Sequence, residues 1–513
     1  MKRFIALFLL TTFLLCGCSS YIKDDGISFE SRFETENIIT LSDEQIEFNG
    51  EIVSDSGDVF VSHDIIYYQQ KDKYESGNPY GEGKAEDGHT KEEAESHMVI
   101  NITKSGAYRI SGNLSAGQIR VDLGDNADKN PDAVVELILD NVEITCTVAP
   151  AVLFMNVYEC DEDWTVENAK SDVDTSKAGA VLVLADDSEN IVNGSYVGKI
   201  FKDEDGEKKL WKQDGAIYSY MSMNVFGRGT LNLVSDNEGL DTELHLTING
   251  GNINIYSDND GINTNEDGVS VTTINGGNIN IVAGLGDEGD GIDSNGWLVI
   301  NGGKVVSKAN PIADAGLDSD LGSYINGGLV VSLGSTMDWP ESNSEQVAIN
   351  LQFEKSQEEE SEIVVKNSRG KTVFEYTADK EALTEGKMRD FRGAVISSPE
   401  FEVGEKYTVY INGVKQGHTG TDFKGRPGGR FHGMEQGNPP DFVDGKRPER
   451  PDGKEPGVDR PVPPDGAEDM PPRGEWPPMP SENADDVKND VVRDFVFFTE
   501  DKVNRFSGVG ELE

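Results

Sequence analysis

Apolar and polar positions return at a fixed interval through the middle of the chain. Ile-Asn-Gly-Gly begins at Ile248, Ile274, Ile300 and Ile325, with spacings of 26, 26 and 25 residues. A constant period of this size marks a repeat array rather than a string of unrelated elements. After each copy the pattern alternates, as in Gly251-Asn252-Ile253-Asn254-Ile255 and again at 277–281, and period two predicts a strand. One aliphatic residue holds the same place each time: Ile253, Ile279, Val305 and Val330. A second motif runs in step with the first: Glu238-Gly239-Leu240-Asp241, Asp260-Gly261-Ile262-Asn263, Asp290-Gly291-Ile292-Asp293 and Ala315-Gly316-Leu317-Asp318. Asp214-Gly215-Ala216-Ile217 reads as a degenerate earlier copy.

A unit of this length, with two or three short strands and Gly/Asn turns, predicts one coil of a parallel β-helix. Coils stack at about 4.8 Å, so equivalent positions form ladders. The four aliphatics are expected inside, and Asn249, Asn275, Asn301 and Asn326 at a turn. There Asn tolerates positive φ and its amide can bond to the copy above. The Gly-Gly that follows supplies the corner. A nine-residue calcium β-roll is excluded, because its period is far too short.

Weaker coils are visible upstream, at Tyr108–Leu114, Val135–Val142 and Ala180–Leu184. The all-β helix is therefore expected over residues 98–335, in about nine or ten coils. Residues 161–178 and 199–212 are too polar for coil walls and read as loops. Residues 18–97 are expected to form an N-terminal β cap, strand-rich over 40–62, followed by an acidic flexible loop over 69–97. Residues 346–415 read as short strands of a C-terminal β region. Residues 424–485 hold 14 of the chain's 20 prolines, a composition that buries no core and predicts disorder. The tail, residues 486–513, is strand-like again, which makes the Pro-rich part an insertion.

Composition narrows the partners. Of 513 residues, 45 are Lys or Arg and 94 are Asp or Glu, a formal charge of −49. Nucleic acid and anionic lipid surfaces both need a basic face, so neither is an expected partner. At the start, Lys2 and Arg3 precede an apolar run from Phe4 to Leu15. That run is shorter than the about 20 residues of a membrane-spanning helix, so residues 1–17 read as a signal peptide. Its end, Leu15-Cys16-Gly17-Cys18-Ser19-Ser20, resembles a bacterial lipobox. That resemblance implies lipidation at Cys18 and an exported protein anchored by lipid at the bacterial cell surface. Cys146 and Cys160 remain; a disulfide and two buried thiols are both open.

The chemistry, if any, lies in acids. From Ser235 to Asp320 there are 15 Asp and Glu but only two basic residues, Lys304 and Lys308. Stacked carboxylates about 4.8 Å apart repel by roughly 3.5 kcal/mol per pair at an effective dielectric of about 20. A hard cation relieves this. Ca²⁺ takes carboxylate, amide and carbonyl oxygens, and these turns offer all three. The candidate ligands are Glu238, Asp241, Asp258, Asp260, Asn263, Asp287, Asp290, Asp293, Asp314, Asp318 and Asp320. A solvated acidic edge that holds no ion is the alternative. Candidate sugar contacts are Trp297, Tyr256 and Tyr324, with Tyr218, Tyr220 and Trp339 behind them, since flat aromatics stack on pyranose rings.

The repeats together with Gly106-Ala107-Tyr108-Arg109-Ile110-Ser111-Gly112-Asn113-Leu114 resemble a family of bacterial surface proteins, the carbohydrate-binding domain-containing proteins. The resemblance covers about residues 40–415. It implies a right-handed parallel β-helix with bound calcium and affinity for cell-wall polysaccharide, acidic pectin included. Ala315 and Asn263 depart from the pattern where an acid is replaced. Three functions follow. The first is non-catalytic, calcium-dependent binding of polygalacturonate or cellulose. The second is a calcium-dependent lyase, whose base would be Lys304, Lys308 or Arg228. The third is a structural or adhesive surface protein.

Overall fold

The computed structural model describes residues 27–68, 88–197, 200–201, 209–210, 212–335, 338–377, 390–421 and 493–511. The expected signal peptide 1–17, Cys18, most of the acidic stretch 69–97 and the Pro-rich segment 424–485 lie outside them. The described residues are nearly all β. One five-residue helix, Lys91–Glu95, and one 3-10 turn, Ala127–Lys129, are the helical elements among them.

Three parallel ladders carry the architecture, and the chain visits them in turn. The first runs through Gly106–Leu114, Val135–Thr145, Ala180–Leu184, Met223–Gly227, Leu246–Ile248, Val271–Ile274, Trp297–Ile300 and Gly322–Ile325. The second begins with the ends of the first two of these strands. It continues through Glu189–Gly194, Thr230–Ser235, Asn252–Ser257, Asn278–Val282, Lys304–Lys308 and Leu329–Gly334. The third holds Met98–Ile102, Gly117–Asp122, Val152–Asn156, Gly215–Ser219, Glu238–Thr242, Ile262–Thr264 and Ile292–Ser294, and ends with a bridge from Ile292 to Leu317. Within 98–335 eight strands stand on the first ladder. The expected nine or ten is thus too many, because residues 157–179 and 195–214 leave the ladders and consume length.

The aliphatic row is in register: Ile253 pairs with Ile279, Ile279 with Val305 and Val305 with Val330, all fully buried. Removing one such side chain to Ala costs about 2–5 kcal/mol. The asparagines form an amide ladder at the turn. Asn275 Nδ2 donates to Asn249 Oδ1 at 2.9 Å, Asn301 to Asn275 at 2.9 Å and Asn326 to Asn301 at 3.0 Å. The left-handed backbone falls on the second glycine rather than on the asparagine, with φ of 101° at Gly251 and 94° at Gly277. The first glycine of the pair meets the coil before it: a Cβ on Gly302 would lie 2.5 Å from the Asn275 carbonyl oxygen.

Added strands close ladder ends: Glu36–Leu41 pairs in parallel with Gly106–Leu114 on the first ladder, and antiparallel strands sit at the start of the third and the end of the second. Val59–Ser62 pairs with Met98–Ile102, and Phe391–Ser397 pairs with Leu329–Gly334. An open ladder edge invites pairing with another chain, and these strands occupy it. Beyond the repeats, Ala348–Gln357 pairs with Phe391–Ser397 and, in parallel, with the tail strand Val503–Val509. A second sheet holds Thr372–Tyr376, Ile363–Asn367, Lys406–Ile411 and Val414–Lys415, with Phe497–Phe498 on its inner strand. The tail strands therefore pair with strands that precede residues 422–492 in the chain. Cys146 and Cys160 are both free thiols, so the disulfide alternative drops out. Burial pushes the Cys146 thiol up to about 12.

The outward side of the first ladder is covered from Val135–Thr145 to Leu246–Ile248. The Ile27 backbone N–H donates to Asn249 O at 3.1 Å, the Arg32 N–H to Glu136 Oε1 at 2.9 Å, and Phe29 packs 5.4 Å from Phe226. Thr175 of the 161–178 loop bonds Thr247 and Asn224 at 2.7 and 3.0 Å.

Candidate metal centre and carbohydrate-facing surfaces

Each third-ladder strand sends its aliphatic residue inward, Leu240, Ile262, Ile292 and Leu317, and period two turns the next residue the other way. That row reads Tyr218, Asp241, Asn263 and Asp293 by register, with Asp318 following Leu317. A second row lies at the strand starts, where Glu238 faces Gly215. The Gly239 N–H donates to Asp260 O and the Gly261 N–H to Asp290 O, both at 3.0 Å.

At the N-terminal part of these rows Asp214, Glu238 and Asp241 converge. All three are buried, and one oxygen of each lies within 4.8 Å of the others. Asn265 Nδ2 donates to Asp241 Oδ1 at 2.8 Å, and Lys212 sits 2.9 Å from Asp214. Glu238 Oε2, Asp241 Oδ2 and Asn263 Oδ1 are buried with no hydrogen-bond partner. Their residues are 4%, 0% and 7% exposed. Three orphaned acceptor oxygens at one spot are a costly arrangement, because each lost partner costs about 1–3 kcal/mol, and more for charged groups. The donor set is all oxygen, which suits a hard cation and not zinc or copper.

Electrostatics give the same picture. Burial first, then the negative Asp214, pushes the Glu238 carboxyl up to about 8. Asp241 is raised well above the usual carboxylate range by burial and by Glu238. Glu243, also raised to about 8 by burial, accepts a hydrogen bond from the Tyr218 hydroxyl. Glu238, Asp241 and Glu243 therefore all favour the protonated form more than an ordinary carboxyl does.

A second group forms further along. Burial and Asp318 raise the Asp293 carboxyl to about 7, and burial and a bond to Asp318 raise Asp338 to about 9. Asp338 Oδ2 is another buried oxygen without a partner. Asp290 is raised by burial and Asp318. Some acids serve the coil itself: Asp260 Oδ1 accepts the Asp290 N–H at 2.7 Å, Asp290 Oδ1 the Ala315 N–H at 2.6 Å, and Asp314 Oδ2 the Gly289 N–H at 2.9 Å. Asp258 and Asp287 are exposed and belong to neither convergence, whereas Asp320 is half-buried one residue past Ser319. Sequence reasoning missed Asp338, which lies beyond the last repeat. It gave Asp214 no ligand role, although the degenerate Asp-Gly motif there was the available signal.

The sugar-contact candidates separate. Trp297 and Tyr324 lie half-buried on the first ladder, pairing with Val271 and Val299, while Tyr256 lies half-buried on the second between Val234 and Val282. None stands on the acid-bearing ladder, so Trp297 is beside it in sequence only. Tyr218 is fully buried and bonded to Glu243, and Tyr220 is 7% exposed, so neither presents a free ring face. The guanidinium of Arg505 lies 4.6 Å from the Trp339 ring centroid. Of the candidate bases, Lys304 and Lys308 lie on the second ladder. Lys308 is buried against Glu359 at 3.2 Å, and Arg228 is bound by Asp186, with Nε at 3.1 Å.

Comparison with known proteins adds three findings. A carbohydrate-binding domain-containing protein of Acetivibrio thermocellus is 31% identical over 157 residues, covering 30% of this chain and 44% of that protein. The chain thus spans less than half the length of that relative. A solved polysaccharide lyase-like protein from C. thermocellum, as a gadolinium derivative, shares 20% identity with a TM-score of 0.31, over 57% of this chain and 93% of that one. The family model of the carbohydrate-binding domain-containing proteins matches residues 96–372. That match takes in more than half of the chain, which belongs to the carbohydrate-binding domain-containing protein family.

Proposed function

We infer that the protein is a non-catalytic binder of cell-wall polysaccharide, polygalacturonate or cellulose, and that its binding depends on calcium. The observation carrying the calcium part is the set of orphaned oxygens on Glu238, Asp241 and Asn263 beside Asp214. Glu238, Asp241 and Asp214 would hold the ion with the Asn263 amide, and Asp293, Asp318 and Asp338 would hold another. Calcium there offsets the mutual repulsion of the carboxylates and can share a uronate carboxylate with them. Family membership supports the glycan. In this reading the three ladders wind as a right-handed parallel β-helix, and the signal ending at Cys18 puts the protein on the bacterial surface through a lipid anchor.

A lyase is less well supported. Proton abstraction needs a basic group beside the metal, whereas Lys308 and Arg228 are each engaged by a carboxylate. The deciding experiment measures retention of the purified protein on polygalacturonate and cellulose with and without EDTA, while following the ultraviolet absorbance of unsaturated product. Calcium-dependent retention with flat absorbance is expected. Rising absorbance replaces the binder with a lyase, and no retention leaves the structural or adhesive reading.

A further inference from the structure

The second ladder has an outward face that the acid rows do not use. Its inward rows are aliphatic or small, while its outward rows read Asn232, Asn254, Asn280, Val306 and, two residues earlier on each strand, Asn252, Asn278, Lys304. Amides thus repeat along the stack at the coil spacing of about 4.8 Å. Asn254 Nδ2 donates to Asn232 Oδ1 at 3.0 Å, which links two amides of the row. Residues 27–33 and the 161–178 loop lie over the first ladder as far as Leu246–Ile248, whereas here the face opens into a cleft of about 240 Å³. Asn254, Asn278, Asn280 and Lys304 line it with the buried Val306 and Val331, and Glu375 to Thr377 of the C-terminal region complete the lining.

We propose that this cleft, with the amide rows leading into it, is a glycan-contact site that takes a neutral hexose unit of a polysaccharide chain. The inference rests on the carbohydrate-binding reading and adds a site and a ligand class to it. Amides both donate and accept, as sugar hydroxyls do, and Val306 and Val331 give the lining an apolar part that suits the C–H side of a pyranose. The volume lies below the about 300–1,000 Å³ of sites for drug-sized ligands, which fits one ring. Charge argues against a uronate in the cleft. Lys308 is neutralised by Glu359, and the cleft lining holds Glu375 as well as Lys304, so its charges balance and offer a carboxylate no net positive field. A molecule at −49 repels an acidic chain wherever no cation intervenes.

The test compares retention on insoluble cellulose and on immobilised polygalacturonate, with terbium luminescence reporting the acid rows. Asn254→Ala with Asn280→Ala is expected to weaken cellulose retention at least tenfold. Terbium binding and polygalacturonate retention should stay within twofold. Thr377→Trp, which fills the cleft from its exposed wall without touching the ladder, should do the same. Cellulose retention unchanged in both variants overturns the site. Wild-type protein held by polygalacturonate but not by cellulose overturns the neutral ligand and leaves the binder reading standing. Wild-type protein held by neither overturns both.

Discussion

The Lys308 ammonium lies 3.2 Å from Glu359 Oε1, and both side chains are more than nine-tenths buried. Lys308 belongs to the repeat stack and Glu359 to the segment after it, so the pair joins the last coils to the C-terminal sheets. Breaking a buried pair from one side strands the other charge and costs about 3–5 kcal/mol. Lys308→Ala should therefore lower the denaturation midpoint strongly, whereas Lys308→Met with Glu359→Leu should recover most of the loss. Equal losses in the single and double variants would refute this account.

Stability of the calcium-free protein should fall as pH rises. Glu238 and Glu243 are held near 8 and Asp293 near 7, above the ordinary carboxylate values near 4. The folded state therefore binds more protons than the unfolded chain between those limits. Its advantage is full below pH about 4, and it drains away as pH climbs through about 7 to 8. Thermal melts in EDTA at pH 5 and pH 8 should show the lower transition at pH 8, and calcium should restore it. A flat profile in EDTA would mean these carboxyls are solvated.

Asp241→Asn separates ion binding from folding. It removes one charge from the convergence while keeping the Asn265 contact, so terbium affinity should drop at least tenfold. The same change should raise the calcium-free melting temperature at pH 8, because a buried negative group with an orphaned oxygen is gone. A lower melting temperature with unaltered terbium binding would contradict the assignment.

The amide ladder and the glycine corner should differ in cost. Asn301→Ala removes two exposed amide bonds, to Asn275 and from Asn326, which at about 0.5–1.5 kcal/mol each is a modest change. Gly302→Ala puts a methyl group 2.5 Å from the Asn275 carbonyl oxygen and forces the coils apart. Urea titrations of the two variants should show the larger loss for Gly302→Ala.

Much of the stack was legible because a one-coil period makes each residue predict its neighbour above. Ile253, Ile279, Val305 and Val330, and the Asn249 to Asn326 ladder, stand where the spacing put them. Features that depend on distant chain were hidden. Asp338 joins Asp318 across the end of the repeats, Lys308 finds its partner 51 residues later, and the closing strand Phe391–Ser397 carries no repeat signature. Tyr218 was misread because sequence shows an aromatic ring but not the Glu243 carboxylate beneath its hydroxyl. The coil count was too high because an excursion such as 157–179 looks in sequence like more wall.

The tail strand Val503–Val509 pairs with Ala348–Gln357, and Phe497–Phe498 with Lys406–Ile411, across the intervening residues 422–492. The two halves of the molecule are thereby built on different schedules. A coil has its template as soon as the one before it is laid down, so the stack can grow by local additions during synthesis. The C-terminal sheets cannot be completed until residues 497–509 have emerged and closed a long loop. Until then Ala348–Gln357 has a bare strand edge, which is the stage at which a partly made chain is most open to pairing with a neighbour.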